Sequence, residues 1–129
     1  MAETTRTPLN CLVADDEPQI GSLLKEALAQ YGYAADVVGD GEAAARKLVE
    51  KDYALVVTDV MMPRKTGVEV VREMRARGLV IPVVLMSSFL SDEVLSACSK
   101  LEHLAFLQKP FSLADLRRAI DRAISPIRC

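Results

Sequence analysis

At 129 residues the chain has the length of one ordinary domain and is too short for two. Half of it (50%) is hydrophobic and 26% charged, with no low-complexity tract, which excludes the disordered and fibrous classes. Sixteen Lys and Arg against 18 Asp and Glu leave a net charge of -2, the wrong balance for nonspecific nucleic-acid binding, and no DNA-reading module is visible.

The N-terminal stretch from Met1 to Thr7 is polar and carries no signal-peptide core, and no segment is long enough to span a bilayer, so a soluble, cytoplasmic protein without membrane contact is expected. Three cysteines, Cys11, Cys98 and Cys129, are an odd set without CxxC spacing, as expected in a reducing compartment. Residues 1–8 are expected as a flexible N-terminus, 9–125 as the folded domain and 126–129 as a C-terminal tail, with no output domain among them.

Five apolar runs follow in order: Leu9 to Ala14, Tyr33 to Val38, Ala54 to Thr58, Ile81 to Met86 and Ala105 to Leu107. Continuous runs such as Ala54-Leu55-Val56-Val57 suit strands buried on both faces, the condition of a parallel sheet covered by helices. A helix is predicted after each. The first runs from Pro18 to Tyr31, with Ile20, Leu23, Leu24, Ala27, Leu28 and Tyr31 on one stripe and Gly32 as its left-handed stop. The next three are predicted over Gly41 to Lys51, Gly67 to Arg77 and Ser91, the cap candidate, to about Leu101. The last starts at Ser112 as N-cap, with Asp115 three positions on as a capping-box variant and Phe111 and Leu116 as a hydrophobic staple. Five strand–helix units with right-handed crossovers make a doubly wound α/β sandwich, in which ligands bind beyond the carboxyl ends of the strands.

Four strand ends carry polar residues: Asp15 and Asp16 after the first, Asp59 after the third, Ser87 after the fourth and Lys109 after the fifth. Three carboxylates gathered in one crevice repel by several kcal/mol, roughly, in a partly desolvated site, so positive charge must compensate. Lys109 supplies one charge and a divalent cation the rest; an all-oxygen site with few carboxylates suits Mg²⁺, which also accepts phosphate oxygens. Asp59 can then act as a nucleophile and form an acyl phosphate, with Ser87 donating a hydrogen bond to a phosphoryl oxygen.

From Leu9 to Ile124 the chain resembles the receiver domain of bacterial two-component response regulators, of the single-domain chemotaxis-regulator type. The resemblance rests on Val13-Ala14-Asp15-Asp16-Glu17-Pro18, Thr58-Asp59-Val60-Met61-Met62-Pro63 with Gly67 shortly after, Met86-Ser87-Ser88, and Lys109-Pro110-Phe111. It implies the flavodoxin-like form of the fold, a five-stranded parallel sheet of order 2-1-3-4-5 with five helices. It implies that Asp16 binds Mg²⁺ or Mn²⁺ directly and Asp15 through water, that Asp59 and the Met61 carbonyl complete the metal site, and that Asp59 is phosphorylated. Lys109 would pair with Asp59 or the phosphate, Ser87 would report phosphorylation, and Phe106 would be the switch aromatic. The partners implied are a sensor histidine kinase or phosphotransfer protein and a downstream protein of unknown identity, with the chain a monomer or a phosphorylation-dependent dimer. A cis Lys109–Pro110 bond is also suggested by the resemblance, against a general trans preference.

Each feature has a plainer reading when taken alone. Asp15-Asp16-Glu17 before a helix serve as caps and dipole partners, Ser87-Ser88 as a turn, Lys109 as a solvated lysine, Phe106 as a core aromatic and His103 as a surface residue. The convergence of the strand-end residues on one crevice favours function for Asp15, Asp16, Ser87 and Lys109, while His103 stays a surface residue. Phe106 lacks the hydroxyl of the tyrosine often found there, and Leu101-Glu102-His103 stands where the family often has a small Ala-Gly-Ala-like turn. Met61 and Phe89, each two residues beyond a site residue, are bulky and apolar and are expected to hinder an attacking water. An aspartate-nucleophile phosphatase would need a second Asp at the position of Met61, and a pseudo-receiver would not keep the acidic set with Ser87 and Lys109. The chain is therefore expected to catalyse only its own phosphorylation and dephosphorylation, not to be an enzyme with a separate substrate.

Overall fold

The computed structural model describes residues 7–98 and 101–125, so most of the expected flexible N-terminus and the tail at 126–129, with Cys129, lie outside the described residues. Five strands, β1 (Leu9–Ala14), β2 (Tyr33–Val38), β3 (Leu55–Asp59), β4 (Val83–Ser87) and β5 (Leu104–Gln108), alternate with five helices. These are α1 (Pro18–Gln30), α2 (Gly41–Glu50), α3 (Gly67–Ala76), α4 (Asp92–Ala97) and α5 (Leu113–Ile124). The sheet is parallel throughout with the order β2-β1-β3-β4-β5, the doubly wound topology expected. No helix among the described residues is long and apolar enough to cross a membrane.

Strand alternation divides the core in two. Cys11, Val13, Leu55, Val57, Val84, Met86, Ala105 and Leu107 point to one face, where Leu24 and Leu28 of α1 and Leu116, Ala119 and Ile120 of α5 cover them. Leu12, Ala14, Val56, Val83 and Leu85 point to the other, under Ala44 and Leu48 of α2 and Val70, Val71 and Met74 of α3. Because both faces are buried, β3 and β4 have no exposed residue.

Helix ends follow the chemistry read from the sequence. Ser112 and Asp115 exchange both hydrogen bonds of the capping box, Ser91 caps Val94, and Gly32 ends α1 at φ +92°. Several boundaries shift by one residue, and two differ by two residues or more. Strand β4 begins at Val83, not Ile81, because Pro82 has no N–H to give the ladder. Helix α4 stops at Ala97, well short of Leu101; none of its side chains is fully buried, so little packing sustains further turns.

Candidate phosphoacceptor site

The parallel register lifts every chemically useful strand end to the same edge of the sheet. Asp59 is the last residue of β3 and Ser87 the last of β4, while Asp15 follows β1 and Lys109 follows β5. Backbone bonds fix the rim: Asp15 N–H donates to Val38, Val60 N–H to Met86 and Lys109 N–H to Ser87 at 2.8 to 3.1 Å. The Lys109–Pro110 bond is cis.

The Lys109 ammonium lies 2.8 Å from Asp59 Oδ2 and 2.9 Å from Asp15 Oδ2, with Glu17 Oε1 at 3.5 Å on the solvent side. Its side chain is 13% exposed, that of Asp59 11% and that of Asp15 0%, so these charges face one another largely out of water. Burial pulls the Lys109 pKa down, but the hydrogen bonds and charges of Asp15 and Asp59 outweigh it and hold it above the ordinary lysine value. Burial pushes the Asp59 pKa up; Lys109 and the Met61 N–H oppose this and Asp15 adds to it.

The carboxylates also keep local bonds. Asp15 Oδ1 accepts from the Glu17 N–H at 2.9 Å, and Asp59 Oδ1 accepts from the Met61 N–H at 3.2 Å. Asp16 is exposed, and one oxygen from each of Asp15, Asp16 and Asp59 falls within 4.8 Å of the others. This donor set is all oxygen and anionic beyond what one lysine neutralises, which fits a small hard cation. Among the described residues no backbone N–H donates to the Met61 carbonyl.

In front of these groups lies a crevice of about 620 Å³, lined by Asp59, Ser87, Lys109, Met61, Ile20 and Phe111 among others. A slightly larger hollow of about 690 Å³, between the α4–β5 connection and the end of α5, lacks this chemistry. Met61 lines the crevice and is 67% exposed, as its position suggested, whereas Phe89 is 76% exposed and does not line it.

Ser87 is buried at the expected place, but its hydroxyl is engaged elsewhere: Oγ donates to the Phe89 carbonyl at 2.8 Å and accepts from the Phe89 N–H at 3.0 Å. Phe106 is half-buried against the second core. It is therefore neither locked in nor fully out.

Four residues add contacts to which the sequence alone assigns no role at the site. Glu17 brings a further carboxylate to Lys109. Thr66 and Glu69 form a full capping box at the start of α3, legible in advance as Thr-x-x-Glu. Gly67, seated by that box, abuts the site itself: a Cβ there would overlap the Asp59 carbonyl oxygen and lie 3.3 Å from Leu85.

Comparison with known proteins agrees with this geometry. The family model described as response regulator receiver domain matches residues 11–121. The transcriptional regulatory protein TctD of Salmonella typhimurium is 38% identical over 110 residues, which are 84% of this chain and 48% of TctD. The chain spans about half the length of the first curated relatives it matches, 51% and 48%. Among solved structures, response regulator TrrA of Thermotoga maritima, in complex with Mg²⁺ and BeF, aligns with a TM-score of 0.76 at 31% identity, covering 90% of this chain and 99% of its own. The receiver domain of a Pseudomonas aeruginosa sensor histidine kinase, with a magnesium ion coordinated in its active site cleft, aligns with a TM-score of 0.78 at 26% identity, covering 91% and 98%.

Proposed function

Because the chain belongs to the response regulator receiver domain family of two-component systems, we propose that it accepts a phosphoryl group on Asp59 from the phosphohistidine of a sensor kinase or phosphotransfer protein. The observation that carries this reading is the Lys109 ammonium held at 2.8 and 2.9 Å between Asp59 and Asp15, with Asp16 within reach.

An Asp59 oxygen attacks phosphorus, the phosphorus–nitrogen bond of the donor breaks, and the imidazole leaves carrying a proton. Asp15, Asp16, Asp59 and the Met61 carbonyl would hold Mg²⁺, in keeping with the magnesium recorded in the neighbouring Pseudomonas domain. When bound, the cation neutralises carboxylate charge and draws phosphoryl oxygens to the site. Lys109 stays on Asp59 or moves to a phosphoryl oxygen, keeping the developing charge paired in a largely water-excluded place. Buried Asp15 orients Lys109 from behind.

Readout begins at Ser87. To donate to a phosphoryl oxygen, its hydroxyl must give up the Phe89 carbonyl, which removes one of the two bonds that tie it to the β4–α4 connection. Half-buried Phe106 has room to follow by packing alone. The chain thus acts as a cytoplasmic switch for a downstream partner and turns over no separate substrate.

The reading is tested by incubating the chain with acetyl phosphate and Mg²⁺ and measuring intact mass. One phosphoryl group should appear, disappear with chelator, and be absent in Asp59→Asn. Unchanged incorporation in Asp59→Asn would refute it.

A further inference from the structure

Helix α4 has six residues and no fully buried side chain, so its place is set by what grips it. Val94 packs against the second core, and a further grip comes from α3. Arg72 Nη2 donates to the Ala97 carbonyl at 3.3 Å, at the last turn of α4. Arg75, one turn further along the same face of α3, sends Nη2 to the carbonyls of Glu102 at 2.6 Å and His103 at 3.4 Å. Its Nη1 donates to Leu79 at 3.1 Å and Ile81 at 2.8 Å, so one guanidinium ties the entry to β4 to the entry to β5. The tie falls on a bent point of the chain, since His103 takes φ +57°. Arg75 Nε is buried without a hydrogen-bond partner, a cost accepted for the other four bonds.

The opposite end of α3 meets the phosphoacceptor. Gly67 N–H donates to Val60 at 2.9 Å, and Gly67 sits so close that a Cβ would overlap the Asp59 carbonyl. Between the ends, Val70, Val71 and Met74 lock the helix to the sheet. One rigid element therefore touches the Asp59 backbone at its first residue and the α4–β5 connection at its last turn.

We propose that Arg75 is a positioning residue that couples Asp59 to the α4–β5 connection through α3, a route separate from Ser87 and Phe106. The inference rests on the phosphoacceptor reading. Arginine is required because only its planar fork supplies donors in several fixed directions at once; lysine offers a single flexible ammonium.

Amide hydrogen exchange of the full chain, with and without beryllofluoride and Mg²⁺, tests it in wild type, Arg75→Gln and Arg75→Lys. In wild type, beryllofluoride should change exchange both at Val60 and Met61 and at Leu101 to Leu104. In the variants, exchange at Leu101 to Leu104 should be roughly tenfold faster without ligand, and its response to beryllofluoride should fall by at least about fivefold. The response at Val60 and Met61 should persist in both. Arg75→Lys keeps the charge and the aliphatic stem, and so supplies the test if Arg75→Gln does not fold. A response at Leu101 to Leu104 that keeps its wild-type size, with only basal exchange raised, would make Arg75 a structural tie and overturn the inference. No saturable response at Val60 and Met61 in wild type would instead overturn the phosphoacceptor reading, and the inference with it.

Discussion

Lys109 and Asp59 meet at 2.8 Å in a place where both side chains are almost fully covered, 13% and 11% exposed. Removing Lys109 leaves Asp15 and Asp59 facing each other without compensation, whereas removing Asp59 leaves Lys109 still paired with Asp15. Lys109→Ala should therefore lose about 3 kcal/mol of stability in chelator, and added Mg²⁺ should restore part of it. Urea unfolding with and without Mg²⁺ measures both. A loss under about 0.5 kcal/mol would mean the pair is solvent-screened.

Asp59 titrates in the opposite sense from a stabilising carboxylate. Its pKa is raised by burial, so its contribution is fully present below the unfolded value and is lost as pH rises through the folded value. Without divalent cation, Asp59→Asn should unfold at higher urea than wild type at pH 7, and the gap should close as pH falls through the carboxylate range. A variant less stable than wild type at pH 7 would contradict this sign.

Gly67 should tolerate no side chain. In Gly67→Ala the new methyl group overlaps the Asp59 carbonyl, a backbone atom with little freedom to retreat. A loss of about 2 kcal/mol is expected, with slower phosphorylation from acetyl phosphate because Asp59 shifts. Ser112→Ala is the control: it should lose about 1 kcal/mol through the α5 cap and leave phosphorylation unchanged.

Met61, 67% exposed and lining the crevice, stands where water would approach an aspartyl phosphate. Met61→Asn should shorten the phosphate lifetime, and the double variant with Phe89→Glu should shorten it further only if Phe89 turns inward when Ser87 releases it. Decay of phosphorylated protein after donor removal gives the rates. Equal or slower decay in the double variant would remove the shielding role.

Much of this molecule is legible from residue order alone because its central strands β3 and β4 are buried on both faces and so appear as apolar runs. The polar residues ending them, Asp15, Asp59, Ser87 and Lys109, stand out against that background and do meet at one sheet edge. Local chemistry was equally readable: Ser112 with Asp115 and Ser91 with Val94 are bonds between residues three apart. What stayed hidden depends on distance along the chain. The acceptors of Arg75 Nη2 lie 27 and 28 residues away and are backbone carbonyls, which carry no residue identity to search for. The engagement of Ser87 with Phe89 was hidden for another reason: two partners compete for one hydroxyl, and composition does not say which is near.

The account stands or falls on where the phosphoryl group goes. After acetyl phosphate and Mg²⁺ treatment, borohydride reduction converts an aspartyl phosphate to homoserine, which peptide sequencing by mass spectrometry can place. Phosphorylation of Asp59 should give homoserine at position 59 alone, dependent on Mg²⁺; homoserine at Asp15, Asp16 or elsewhere, or none at all, would exclude Asp59 as the acceptor.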